Sequence, residues 1–230
     1  MDSEIAERLA AIESRIAAAA ARSGRARSEI TLVAVSKTHS AEAVAAAWRA
    51  GLRDFGENRV QEGVAKRAAL DLQEARWHLL GPLQRNKVRA ALRCFDVLHA
   101  VDRDELVSEL AREADLQQRQ VPLFLEVNLG SEESKHGVAP NEIEPLLDRV
   151  LAHPRLRVQG LMAIPPPGDE PERSRPWFRQ LREVGARLTA RYGREFPGLL
   201  SMGMSGDFEV AIEEGATHLR IGTAIFGVRA

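Results

Sequence analysis

Lysine, cysteine and tyrosine are all scarce in this 230-residue chain. Of its 32 basic residues only Lys37, Lys66, Lys87 and Lys135 are lysines, and cysteine and tyrosine occur once each, as Cys94 and Tyr192. A single cysteine forms no intramolecular disulfide, which excludes a disulfide-framed secreted scaffold and makes a cytoplasmic location the expectation. Histidine and cysteine are too few and too scattered for a closed zinc site. The formal net charge of -1 excludes the strongly basic surface that attracts duplex nucleic acid. No uncharged apolar run approaches the roughly 20 residues that span a bilayer, so no membrane partner is expected. No signal peptide is expected either: Asp2, Glu4 and Glu7 stand where its positive charges belong, and Arg8, Glu13 and Arg15 break any apolar stretch.

What is present is an alternation of apolar runs and amphipathic stretches. Residues 3–22 read as a helix, with Ile5, Leu9, Ile12 and Ile16 on one face, Asp2 or Ser3 as its cap and Gly24 as its stop. Candidate strands follow at Leu32–Val35, Asp54–Gly56, Trp77–Leu80, Phe95–Leu98, Leu123–Val127, Val158–Met162, Leu199–Met202 and His218–Ile221. Ser40 caps the helix after the first strand, and Asp102 with Glu105, then Asn141 with Glu144, have cap-and-N3 spacing after the fourth and fifth. A further helix begins at Pro176 and presents Phe178, Leu181, Val184 and Leu188 to a core. The polar loop at Pro165–Pro171 carries no sign of a domain break. Eight strand–helix units within 230 residues predict an α/β protein with one (β/α)8 barrel over residues 1–230, preceded by an extra helix.

In such barrels function gathers at the C-terminal ends of the strands. Here those ends carry Lys37, Glu57-Asn58, His78, Asn128, Met162, Ser201-Met202 with Ser205, and Arg220. An amine condenses with a carbonyl to form a Schiff base and a guanidinium does not, so a lysine kept at a strand end in an arginine-rich chain is a candidate nucleophile. The plain alternative is a lysine snorkelling at the barrel rim. The loops Gly203–Asp207 and Gly222–Ala224 offer glycines, Ser205 and Thr223 for a phosphate, in the place where barrels often bind one, although the same residues also make ordinary turns. Arg85, Lys87, Arg89 and Arg93 read as a solvated helix face. Glu57, Glu126 and Asp207 show no spacing that selects a glycosidase pair.

These segments resemble a known family. Ala34-Val35-Ser36-Lys37-Thr38, Phe55 to Glu62, Trp77 to Lys87, Val127-Asn128 with Glu133 to Gly137, Gly160 to Ile164, Leu200 to Ser205 and Arg220 to Gly227 are similar, in order and over nearly the whole chain, to the pyridoxal phosphate homeostasis proteins. Leu79-Leu80 departs from the pattern while staying apolar. The resemblance implies a barrel of the alanine racemase N-terminal type without the C-terminal β domain of that enzyme. It implies pyridoxal 5′-phosphate held as a Schiff base on Lys37. It also implies Arg220 at the pyridine nitrogen, Ser205, Gly222 and Thr223 at the phosphate, and Asn58, His78, Ser201 and Met202 around the pocket. The implied role is homeostasis of vitamin B6 and amino-acid pools without established catalysis, with the cofactor and pyridoxal-dependent apo-enzymes as partners.

Three functions stay open on the sequence: a cofactor carrier, an amino-acid racemase-like enzyme, and a cofactor-free Schiff-base lyase. A two-base racemase needs a second acid/base, and Tyr192, late in an outer helix, is poorly placed to be one. A cationic partner at the ring nitrogen opposes its protonation and weakens the electron sink. Carriage is therefore the expected role, and a monomer the expected assembly.

Overall fold

Eight parallel strands pair each with the next and the last with the first, so the sheet has no free edge. The computed structural model describes residues 1–130, 136–166, 168 and 170–227. The strands are β1 (Thr31–Val35), β2 (Asp54–Glu57), β3 (Arg76–Leu79), β4 (Val97–Val101), β5 (Val121–Glu126), β6 (Leu156–Met162), β7 (Leu199–Ser201) and β8 (His218–Ile221). Around them lie α1 (Asp2–Arg22), α2 (Ala41–Arg49), α3 (Val60–Ala69), α4 (Val88–Cys94), α5 (Asp104–Leu116), α6 (Ile143–Leu151), α7 (Arg175–Tyr192), α8 (Phe208–Glu213) and α9 (Thr223–Phe226). This is the (β/α)8 barrel expected from the alternation. Helix α1 is the extra element and packs on α2, α8 and α9 through Ile5, Leu9, Ile12 and Ile16. Among the described residues no helix is long and apolar enough to cross a membrane.

The period-2 alternation of the strands separates two interiors. Outward residues such as Leu32, Phe55, Trp77, Leu98, Leu123, Leu161, Leu200 and Leu219 join the helices in one large apolar core. Inside the barrel the apolar filling is small: Val33, Val35 and Leu80 in one cluster, Ala100, Phe124 and Met162 in another. The rest of the lumen is polar, with Asp54, His78, His99, Ser201 and Arg220 buried. Barrel interiors are ordinarily filled by branched apolar side chains, so this polar seam costs desolvation unless its members bond to one another.

Three helix starts differ from the sequence expectation. Helix α1 is capped by Met1 without a side-chain bond, and Ser3 donates instead to Glu7. Helix α5 starts after Arg103, because the carboxylate of Asp102 is drawn to the Arg103 guanidinium. Helix α6 starts after Glu142, one residue past Asn141, with no side-chain cap. Ser40 does cap α2, its Oγ accepting from the Ala43 amide at 3.3 Å.

Candidate functional site

A cavity of about 270 Å³ opens at the C-terminal mouth of the barrel. Its walls come from the ends of β1, β2, β3, β6, β7 and β8, and they include Lys37, Asn58, Ser205, Arg220, Gly222 and Thr223. Val35 and Leu80 form an apolar floor, while Ile164 and Met204, 45% and 36% exposed, stand at the rim. No aspartate or glutamate is among the described residues that line it, whereas Lys37 and Arg220 are both cationic there. The site therefore combines basic side chains with apolar surface, as a pocket for a small anionic ligand does.

Lys37 lies two residues beyond β1 and is half-buried. The segment that carries it is fixed from below. Ser36 Oγ donates to Glu57 Oε1 at 2.6 Å, and the ammonium of buried Lys66 donates to the Ser36 carbonyl and to Glu57 Oε1, each at 2.6 Å. Lys66 also reaches Glu62 Oε1 at 2.9 Å, and the same oxygen accepts from the Thr38 amide. Thr38 has a φ of 67°, a left-handed conformation unusual for a β-branched residue, and that amide bond holds it there. Lys66 is thus occupied by carboxylates, and among the described residues Lys37 is the one lysine that lines the cavity.

The loops after β7 and β8 meet across the cavity. Gly203, at a φ of 91°, starts the first; an added Cβ would lie 2.6 Å from that of Ala211. Asp207 then closes the turn, accepting from the Met204 amide at 2.7 Å and from Ser174 Oγ at 2.9 Å. Ser205 Oγ accepts from the Ala224 amide at 3.3 Å, which leaves its own hydrogen for an anion. The short helix α9 begins at Thr223, and its Ile225 and Phe226 amides both turn back to the Gly222 carbonyl at 2.9 Å. At Gly222 the backbone packs closely on β1: a Cβ there would be 3.0 Å from the Val35 carbonyl.

Arg220 is 5% exposed. Its Nη1 donates to Ser201 Oγ at 2.8 Å and its Nη2 to the Ala163 carbonyl at 3.0 Å. Burial pulls its guanidinium down to about 10, opposed by the charges of Glu126 and Asp207.

Three residues expected around the pocket do not line it. His78 points into the lumen, where Nε2 meets Asp54 Oδ1 at 2.8 Å and Nδ1 meets His99 Nε2 at 2.9 Å. Ser201 lies beneath Arg220, and Met202 is fully buried in the outer core, because residues adjacent on a strand face opposite sides of the sheet. Of the other wall residues, Gly206 belongs to the loop read for a phosphate and Gly227 ends the last family-like segment, while no role is read for His39 from the sequence. His39 stacks on Phe226 with ring centroids 5.0 Å apart. Lys87 faces a neighbouring cavity that shares Asn58 with the first, and the Glu133-Ser134-Lys135 motif lies outside the described residues.

A single closed barrel with a strand-end lysine, a buried arginine on the last strand and two small-residue loops defines the class: the family described as "Alanine racemase, N-terminal domain" matches residues 8–230. Among curated relatives, the chain is 43% identical over 223 residues to the pyridoxal phosphate homeostasis protein of Aquifex aeolicus, covering 97% of each. It is 44% identical over 229 residues to that of Escherichia coli K12, covering 98% of this chain and 97% of the relative. The solved structure of PipY from Synechococcus elongatus with PLP bound is similar at a TM-score of 0.86 and 40% identity, covering 97% of this chain and all of that one. The chain belongs to the pyridoxal phosphate homeostasis protein family.

Proposed function

We propose that this chain binds pyridoxal 5′-phosphate on Lys37 and serves the intracellular balance of that cofactor and of amino acids, as a monomeric cytoplasmic carrier. The observation that carries the reading is the composition of the cavity wall: a free amine and a buried guanidinium, two hydroxyl-bearing glycine loops, apolar faces between them, and no carboxylate. When bound, the cofactor supplies an aldehyde that condenses with an amine and a phosphate dianion that anchors it. Lys37 fits the first, and Ser205, Thr223 and the approach opened by Gly222 fit the second. Val35, Leu80, Ile164 and Met204 offer surfaces on which a flat ring packs. The names of the relatives and the PLP-bound PipY structure support the same ligand.

Carriage is favoured over turnover by what the cavity wall lacks. The single tyrosine, Tyr192, is far from it, at the end of α7, with its hydroxyl donating to Asp148 at 2.7 Å. No tyrosine is among the described residues that line the cavity with Lys37.

Borohydride reduction of the cofactor-loaded protein followed by peptide mapping tests the attachment. The phosphopyridoxyl mass is expected on the Lys37 peptide, and a dominant label on Lys66, Lys87 or Lys135 overturns it. Steady amino-acid racemisation by the loaded protein would overturn the carrier reading. Light scattering that gave an obligate dimer would overturn the monomer.

A further inference from the structure

The seam of polar side chains inside the barrel is continuous from one end to the other. It starts at Asp54, the first residue of β2, whose carboxylate also receives Arg76, with Nε 2.8 Å from Oδ1. It passes through His78 on β3, His99 on β4 and Ser201 on β7, and ends at Arg220 on β8, in the cavity wall. The four links measure 2.8, 2.9, 2.8 and 2.8 Å.

Hydrogen-bonding valence fixes the direction of every link. A guanidinium only donates, so Ser201 Oγ accepts from Arg220. Ser201 is fully buried, and among the described residues the one acceptor within reach of its single hydrogen is His99 Nδ1, 2.8 Å away; pairing that hydrogen requires the ring nitrogen to accept. Burial holds the His99 ring neutral, so its single hydrogen is on Nε2, which donates to His78 Nδ1. His78 must then carry its hydrogen on Nε2 and donate to Asp54. From the other end the answer is the same, because an ionised carboxylate only accepts. Hydrogen bonds from His78 and Arg76 outweigh the burial that opposes ionisation and keep Asp54 below its ordinary range.

We propose that Asp54, His78, His99 and Ser201, none of which lines the cavity, form one unidirectional hydrogen-bond chain that positions the Arg220 guanidinium, and through it tunes the ring end of the cofactor bound at Lys37. They are positioning residues. Each link polarises the next in the same sense, from the arginine to the aspartate. The chain ties a buried cation at the mouth to a carboxylate at the far end of the barrel. The Ala163 carbonyl alone would leave Nη1 without a partner and the guanidinium plane free to turn. The tuning rests on the pyridoxal phosphate reading; the direction of the chain does not.

Two measurements separate these. Long-range ¹⁵N–¹H spectra of the ligand-free protein, with rings assigned through single histidine variants, are expected to show both His78 and His99 as neutral Nε2–H tautomers. An Nδ1–H ring or an imidazolium at either position overturns the chain whatever the ligand. In cofactor-loaded protein, Ser201→Ala is expected to keep the borohydride label on Lys37, shift the visible absorption band, and weaken retention roughly tenfold. Ser201→Thr, which keeps the hydroxyl, is expected to restore both. A band unchanged in Ser201→Ala overturns the tuning. His99→Phe is compared with and without Arg220→Met: the histidine change should move the band only while Arg220 is present. An equal shift in both backgrounds means the histidine acts by another route, and overturns the proposal. Failure of the unaltered protein to form the Lys37 band counts against the ligand reading, and leaves the tautomer result standing on its own.

Discussion

Lys66 and Glu57 meet at 2.6 Å beneath the segment that carries Lys37, and both side chains are shut off from solvent. Burial raises the Glu57 carboxyl above its ordinary value against the hydrogen bonds from Lys66 and Ser36, and its Oε2 has no protein partner. Removing the ammonium therefore strands a buried carboxylate. Lys66→Met is expected to destabilise the protein by about 3–5 kcal/mol, the usual cost of breaking a buried pair from one side. Adding Glu57→Gln should recover a large part of that loss, because the uncompensated charge goes with it. Urea denaturation of the two single variants and the double variant checks this. Equal, additive losses would mean that the pair is not coupled.

The phosphate assignment separates two ligands. Hydrogen bonds to a charged group contribute about 1.5–3 kcal/mol, so losing one hydroxyl should weaken retention of pyridoxal phosphate roughly tenfold or more. Ser205→Ala and Thr223→Val are expected to do so while leaving unphosphorylated pyridoxal nearly unaffected. Arg220→Ala is expected to alter the absorption of the bound cofactor more than the preference for phosphate. Competition binding with both ligands checks it. Equal weakening of both by the two hydroxyl variants would make these loops ordinary turns.

The barrel was legible because its strands are short apolar runs separated by amphipathic helices, a pattern written in local sequence. Strand-end position picked out Lys37, Ser205 and Arg220, the phosphate-loop reading picked out Thr223, and all four line one cavity. The same rule misplaced Met202, whose side chain faces the outer core, and His78 and Ser201, which face the lumen but do not reach the cavity wall. Counting by twos along β8 from Arg220 would have turned His218 inward, where its ring lies 5.0 Å from that of Phe124. Nothing local marks His99 or Asp54: their partners come from other strands, as far as 102 residues away in the case of Ser201. The lost cap at α5 has a local origin instead, because Asp102 looks like a cap in sequence and finds a cationic partner in its neighbour Arg103.

Gly203 gives a backbone prediction. Its φ of 91° lies where a side chain is strained, and a Cβ would press on Ala211 and on the Phe208 backbone. Gly203→Ala is expected to destabilise the protein by about 2 kcal/mol or more and to displace the turn bearing Ser205. Cofactor retention should fall with stability. Gly206→Ala is the control for stability, since nothing lies within 4 Å of its added Cβ. If both variants behave alike, the strain at Gly203 is not what sets the loop.

Glu126, at the end of β5, makes stability depend on pH in the direction opposite to a salt-bridged carboxylate. Burial pushes its carboxyl up to about 7 from 4.5; the nearby charge of Asp102 adds to this and that of Arg220 opposes it. Between those two values the native state holds more of this proton than the unfolded chain does. The contribution of Glu126 is therefore fully present below the unfolded value and is lost as pH rises through the folded one. The decline amounts to about 3 kcal/mol. Glu62 and Asp54, both held low, act in the other direction: their contribution is lost as the pH falls. The isolating comparison is Glu126→Gln, which removes the titration and keeps the shape. Its stability relative to the parent should rise between about pH 4.5 and pH 7 by that same amount and level off above. Urea denaturation at both ends of the range measures it, and a difference that does not change with pH would mean that Glu126 is ionised throughout in the folded protein.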